Sequence, residues 1–258
     1  MGEYLMTNDK LFLSLLNEED QLFSGWDFSF ITSTGRMQNE LLSWSYGSLA
    51  KSLIIHSNSI LDMGTGGGEF LSMLQPLPKT VFATEGYEPN VSIAKSRLEP
   101  LGVKVVQIKN DEHLPFHKQQ FDLILNRHES YSPGEVRRII IDQGIFLTQQ
   151  VGGQDCLQLN EMLEVPINEE YIDWNLETAI KELKKHHFQV LFCKEEFPIQ
   201  RFYDIGAIVY YLKAIPWQIP NFKAQDYMEQ LFKLHQHIRK YGYLDVKQHR
   251  FIIKAKAM

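Results

Sequence analysis

The sequence predicts an α/β fold, a mostly parallel sheet with helices on both of its faces. Three observations predict it. From residue 59 onward, short apolar runs alternate with segments of helical periodicity. The stretch SILDMGTGGGEFL, Ser59 to Leu71, follows the first of those runs with four glycines in the five residues 64–68. The second run, TVFATE, ends on the carboxylate of Glu85, 23 positions after Asp62.

Taken in order, residues 1–56 read as a helical segment. DKLFLSLLNEEDQLF and MQNELLSWSYGSLAKSLIIH carry apolar residues at helical spacing, and the turn-rich SGWDFSFITSTGR lies between them. SILDMG is a short buried strand, and GEFLSMLQPL is a helix stopped by Pro76 and Pro78. TVFATE is the second strand, EPNVSIAKSRLEPLG a helix closed near Gly102, VKVVQIKN the third strand and FDLILN the fourth. GEVRRIIIDQG reads as a helix, GIFLTQQVG as the fifth strand, WNLETAIKELKKHHF as a helix and QVLFCKEEF as the sixth strand. Asp204 as an N-cap and Pro216 as a stop make a helix of DIGAIVYYLKAIPW; a further helix and a last strand, HRFIIKAKA, follow. The expected division is an N-terminal helical segment, 1–56, and a domain at 57–258 with a helical insertion at about 204–241.

Composition narrows the function classes. A formal net charge of −6 argues against a protein that grips nucleic acid by neutralising phosphates. Cys156 and Cys193 form no CxxC pair, so neither a disulfide framework nor a metal site is expected. The first residues are too polar and acidic for a secretory signal, and no apolar run approaches the ~20 residues that span a bilayer. The expectation is a soluble, cytoplasmic protein without membrane partners.

The glycines at 64–68 admit three nucleotide-type readings. A P-loop needs Gly-Lys-Ser/Thr at its end, but Gly68 precedes Glu69. A dinucleotide fingerprint counted from Gly64 and Gly66 needs its third glycine at 69, again the glutamate. That carboxylate is also the wrong charge beside a pyrophosphate. The third reading fits: LDMGTGGGEFL resembles the first motif of class I S-adenosylmethionine (SAM) methyltransferases, an acidic residue followed by G-x-G-x-G after the first strand. Two more segments carry the resemblance. Glu85 stands where a strand-end carboxylate takes the two ribose hydroxyls, with Glu88 as its rival. NDEHLPFHKQQFDLILN resembles the segment that contacts adenine, with Asn110 and Asp111 as alternatives.

The resemblance implies a Rossmann-like seven-stranded mixed sheet with helices on both faces and a helical cap. It implies S-adenosyl-L-methionine as cofactor, held by Asp62, Gly64, Thr65, Gly66, Gly68, Glu85, Gly86, Asn110 or Asp111, Asn126 and Arg127. The loop NRHESYSP follows the fourth strand, at the sheet edge where this fold places cofactor and substrate. His128 is suited by intrinsic pKa to act as a base, with Glu129 orienting it or acting itself. The alternative is that Arg127, His128 and Glu129 pair with one another to brace the loop. Trp26, Phe28, Tyr46 and Gln149 are candidates to face the substrate, or else to pack structurally.

The implied activity is methyl transfer to a small-molecule acceptor by in-line displacement. The alternatives are an RNA methyltransferase, disfavoured by charge, and a protein that binds SAM or S-adenosylhomocysteine without catalysis.

Overall fold

A computed structural model describes residues 6–23 and 26–258. The parts of the expected N-terminal segment at 1–5 and 24–25 lie outside the described residues. In chain order the elements begin with α1 (Lys10–Leu16), α2 (Ser29–Thr32), β1 (Met37–Asn39), α3 (Tyr46–Ile54) and β2 (Ser59–Met63). There follow α4 (Glu69–Ser72), β3 (Thr80–Glu85), α5 (Glu88–Leu98), β4 (Lys104–Gln107) and β5 (Phe121–Arg127). Next come α6 (Pro133–Ile139), β6 (Ile140–Val151), α7 (Leu157–Met162), α8 (Leu176–Lys185) and β7 (Phe188–Glu196). The chain closes with β8 (Ile199–Phe202), α9 (Ile205–Ala214), α10 (Met228–Tyr241), β9 (Leu244–Lys247) and β10 (Arg250–Ala257).

These elements divide into two units. The first is made of Leu42–Gly152, Asp173–Glu196 and Arg250–Met258. It holds a seven-stranded mixed sheet in the order β4-β3-β2-β5-β6-β10-β7, the fold that the resemblance implies. Strands β2 to β6 run parallel, and β10 lies antiparallel between β6 and β7. Strand alternation sends neighbouring residues to opposite faces. Ile60, Leu123, Leu125, Leu147 and Ile252 join Ala50, Leu71, Ala94 and Leu98 of the helices on one face. Leu61, Ile124, Phe146, Phe251 and Ile253 join Val136, Ile139, Ala179 and Leu183 on the other. Apolar residues on both sides of a strand are what a doubly covered sheet requires.

Three expectations shift in detail. The expected boundary after residue 56 gives way to one after Leu41: α3 packs Tyr46, Ala50 and Ile54 into the sheet's own core. Only Tyr46–Ile54 of the stretch MQNELLSWSYGSLAKSLIIH is helical, and Met37–Asn39 is a strand. The helix expected across GEVRRIIIDQG ends at Ile139. There Ile140, β-branched and paired with Phe121, begins β6, and Gln143 at φ 66° marks an irregularity before the regular pairing from Ile145.

The second unit is made of Met1–Leu41, Gly153–Ile172 and Phe197–His249. The region expected as a helical insertion contains α9 and α10, and the unit adds a three-stranded antiparallel sheet, β1-β8-β9. Asp204 caps α9 as its sequence position predicts, accepting from the Ala207 amide at 2.9 Å. The Arg36 guanidinium then binds Asp204 at 2.7 and 2.6 Å and Glu18 at 2.8 Å, pinning α9 to β1 and the turn after α1. Among the described residues no helix is long and apolar enough to cross a membrane.

Candidate active site

The chain leaves β2 for one neighbour, β3, and later returns to its other side as β5, so strand order switches beside β2. A crevice at the carboxyl ends of the strands is expected at such a switch. There β2 ends in Asp62 and Met63, Met63 pairs with Asn126 of β5, and the glycine turn follows.

Left-handed backbone explains the glycines. Gly64, Gly66 and Gly68 have φ of 63°, 63° and 81°, a region that costs an L-residue roughly 1–2 kcal/mol. The turn is held by Thr65 N–H donating to Thr84 O at 2.9 Å and Gly68 N–H donating to Thr65 O at 3.0 Å. A β-carbon on Gly64 would run into the Glu129 side chain, and one on Gly68 would meet Leu98. A β-carbon on Gly66 would meet nothing within 4 Å, so open space lies above that residue.

Four carboxyl groups gather around this turn. Asp62 is buried, and burial raises it to about 7 against the opposing pull of the Thr65 hydroxyl and Arg127. Glu85 ends β3 as the sequence predicts and is also buried. Burial raises it too, while the amides of Tyr87, donating at 2.7 Å, Gly66 and Gly86 favour its charged form. Glu129 lies against Gly64; burial, then the charges of Asp111 and Glu85, lift it to about 7. Asp111 is raised by burial, and the Ser130 hydroxyl donates to one of its oxygens.

Asn110 and Asp111 differ in their hydrogen bonding. Asn110 Oδ1 accepts from the amides of Glu112 and His113, both at 3.1 Å, and is spent on an Asx turn. Asp111 Oδ1 is buried and has no hydrogen-bond partner. Asn126 belongs to the framework. Its Oδ1 accepts from Thr148 Oγ1 at 2.8 Å and Gln150 Nε2 at 2.6 Å, which fills both lone pairs. Gln150 also donates to Glu129 O at 2.9 Å and so ties the loop after β5 to β6.

Arg127, His128 and Glu129 make no hydrogen bond or ion pair with one another among the described residues. Arg127 lays its guanidinium over the Phe70 ring, 4.8 Å from the centroid. His128, at φ 62°, is an exposed residue on the loop after β5. Desolvation, with the charges of Arg250 and Arg127, shifts its pKa downward. Its Nε2 lies 2.9 Å from Gln149 Nε2, and Gln149 Oε1 accepts from the Trp44 indole at 2.8 Å.

Of the other expected substrate-facing residues, Tyr46 is buried in the sheet's core, its hydroxyl donating to Leu147 O at 3.5 Å. Trp26 and Phe28 belong to the second unit, where Trp26 packs on Phe23 and Trp217, and Phe28 on Phe23 and Tyr211. Trp44 and Ser130 were not legible from the sequence as site residues. Among the described residues no group of His, Cys, Asp and Glu side chains is arranged to hold a metal ion.

Comparison with known proteins agrees with this fold. Residues 60–142, which run from β2 to the start of β6, match the model of a methyltransferase domain. Two solved structures share the fold. One is a candidate methyltransferase of Bacillus halodurans C-125, 16% identical, with a TM-score of 0.55 over 80% of this chain and 97% of that one. The other is a candidate sarcosine dimethylglycine methyltransferase of Galdieria sulphuraria, 14% identical, with a TM-score of 0.51 over 81% and 82%. No curated protein matches the chain by sequence.

Proposed function

We propose that this chain is a class I methyltransferase whose methyl donor is S-adenosyl-L-methionine and whose acceptor is a small molecule; the methyltransferase-domain match over residues 60–142 and the shared fold support the reading. The observation that carries the donor is the fixed Glu85 carboxylate beside a left-handed glycine turn with open space above Gly66. Two ribose hydroxyls suit a carboxylate, which accepts only. Asp111 Oδ1, buried and unpartnered, suits the adenine amino group. Asp62, Glu85, Asp111 and Glu129 suit a ligand that carries an ammonium and a sulfonium. When bound, that ligand supplies an activated methyl group; the protein's part is alignment and exclusion of water. The net charge of −6 supports a small acceptor over RNA.

Calorimetric titration tests the donor. SAM and S-adenosylhomocysteine are expected to bind one to one, and Glu85→Ala to weaken both by about 1.5–3 kcal/mol, the range for hydrogen bonds to a charged group. A response to NAD with none to either sulfur ligand would overturn the reading.

The pH dependence carries a sign. Asp62 and Glu129 both ionise near 7, and a cation binds the ionised site more tightly. SAM affinity is therefore expected to rise from about pH 6 to 8, with S-adenosylhomocysteine, which lacks the sulfonium charge, rising less. Glu129→Gln is expected to flatten the SAM curve, which titrations at several pH values would check.

A further inference from the structure

Trp44, Gln149 and His128 form a chain of hydrogen bonds whose direction is decided by its first member. An indole N–H donates and cannot accept. At 2.8 Å it must face the Gln149 carbonyl oxygen, which leaves the Gln149 amide nitrogen facing His128 at 2.9 Å. The reverse placement would set two donors against each other at the indole. A Gln149 amide nitrogen is a donor, so His128 Nε2 must accept. An imidazole ring that accepts at Nε2 carries its proton on Nδ1. The backbone supports the same placement: His128 N–H donates to Gln149 O at 2.7 Å, so the two residues are joined by main chain as well as side chain.

We infer that Trp44 and Gln149 are positioning residues that lock His128 as a neutral Nδ1–H donor aimed at the methyl acceptor. This assignment rests on the proposed function for the acceptor, but the tautomer itself does not. His128 then does not serve as a general base through Nε2, whose lone pair is committed to Gln149. Nδ1 makes no hydrogen bond among the described residues, and His128 is an exposed residue. A ligand that meets this edge must offer a lone pair, as a carboxylate, carbonyl or ether oxygen does. The charges of Arg250 and Arg127 act on the ring, while Glu129 lies against Gly64.

Nuclear magnetic resonance of protein with ¹⁵N-labelled histidine rings tests this on the full chain without any ligand. His128→Asn identifies the signal by its loss. The expected spectrum shows Nδ1 protonated and Nε2 bare, unchanged between about pH 5 and 8, the window in which an unperturbed histidine titrates. Gln149→Glu replaces the donor by an acceptor and is expected to move the proton to Nε2. Trp44→Phe frees the amide to rotate and is expected to give a mixture of tautomers, with melting curves confirming that each variant folds. An Nε2–H tautomer in the parent protein, an imidazolium at neutral pH, or a spectrum indifferent to Gln149→Glu would overturn the assignment. None of those results would bear on SAM binding, which calorimetry reads separately.

Discussion

Gly66→Val is expected to abolish SAM binding while leaving the protein folded. The φ of 63° at Gly66 sets the cost of any side chain at roughly 1–2 kcal/mol, and a β-branched residue stands at the upper end or beyond. That is tolerable beside a typical folding stability of about 5–15 kcal/mol. Beyond its own chain neighbours the position has no protein atom within 4 Å of a β-carbon, so no clash is added to the strain. The valine methyls instead fill the space offered to the ligand. Gly64 and Gly68 are the contrast: side chains there would meet Glu129 and Leu98, so their substitution confounds folding with binding. Calorimetry paired with a melting curve separates the two. A folded Gly66→Val protein with parental affinity would move the ligand away from this turn.

The second large effect concerns stability. Asp62 has an ordinary value of 3.8 and is raised to about 7 in the folded protein, chiefly by burial. Folded chains therefore bind a proton that unfolded chains release between about pH 4 and 7. Within that window stability falls as pH rises, and above it the loss is complete. Each tenfold change in proton affinity between the two states is worth about 1.4 kcal/mol, so the ionised Asp62 costs the fold on the order of a few kcal/mol at pH 8. Asp62→Asn is expected to raise the melting temperature at pH 8 by several degrees or more and to leave it nearly unchanged at about pH 4. Glu85, Asp111 and Glu129 are raised in the same way, so only the difference between the variant and its parent isolates Asp62. A variant less stable than its parent at pH 8 would show that the charge is needed for folding.

What could be read from the sequence was local. The strand Ser59–Met63, the turn at 64–68 and the carboxylate ending TVFATE depend on residues close in the chain, and each stands where its pattern places it. The cap at Asp204 and the stop after Ala214 were legible for the same reason. The Trp44–Gln149 bond joins residues 105 apart, and nothing near either one announces it. For Tyr46 the sequence left substrate contact and core packing open, and helix α3 turns it into the core against Phe70. The strands β1, β8 and β9, of three or four residues each, are too short for alternation to show.

The place of β10 has a consequence for synthesis. It lies hydrogen-bonded between β6 and β7, yet it is translated after every other strand of the sheet. While the ribosome is still making residues 197–249, the growing sheet can reach no further than β4-β3-β2-β5-β6. Strand β7 must wait with its apolar residues unpaired, since β10 is its sheet neighbour. Closure of the sheet thus becomes a late, long-range event, the kind that slows folding and leaves strand edges open to other chains.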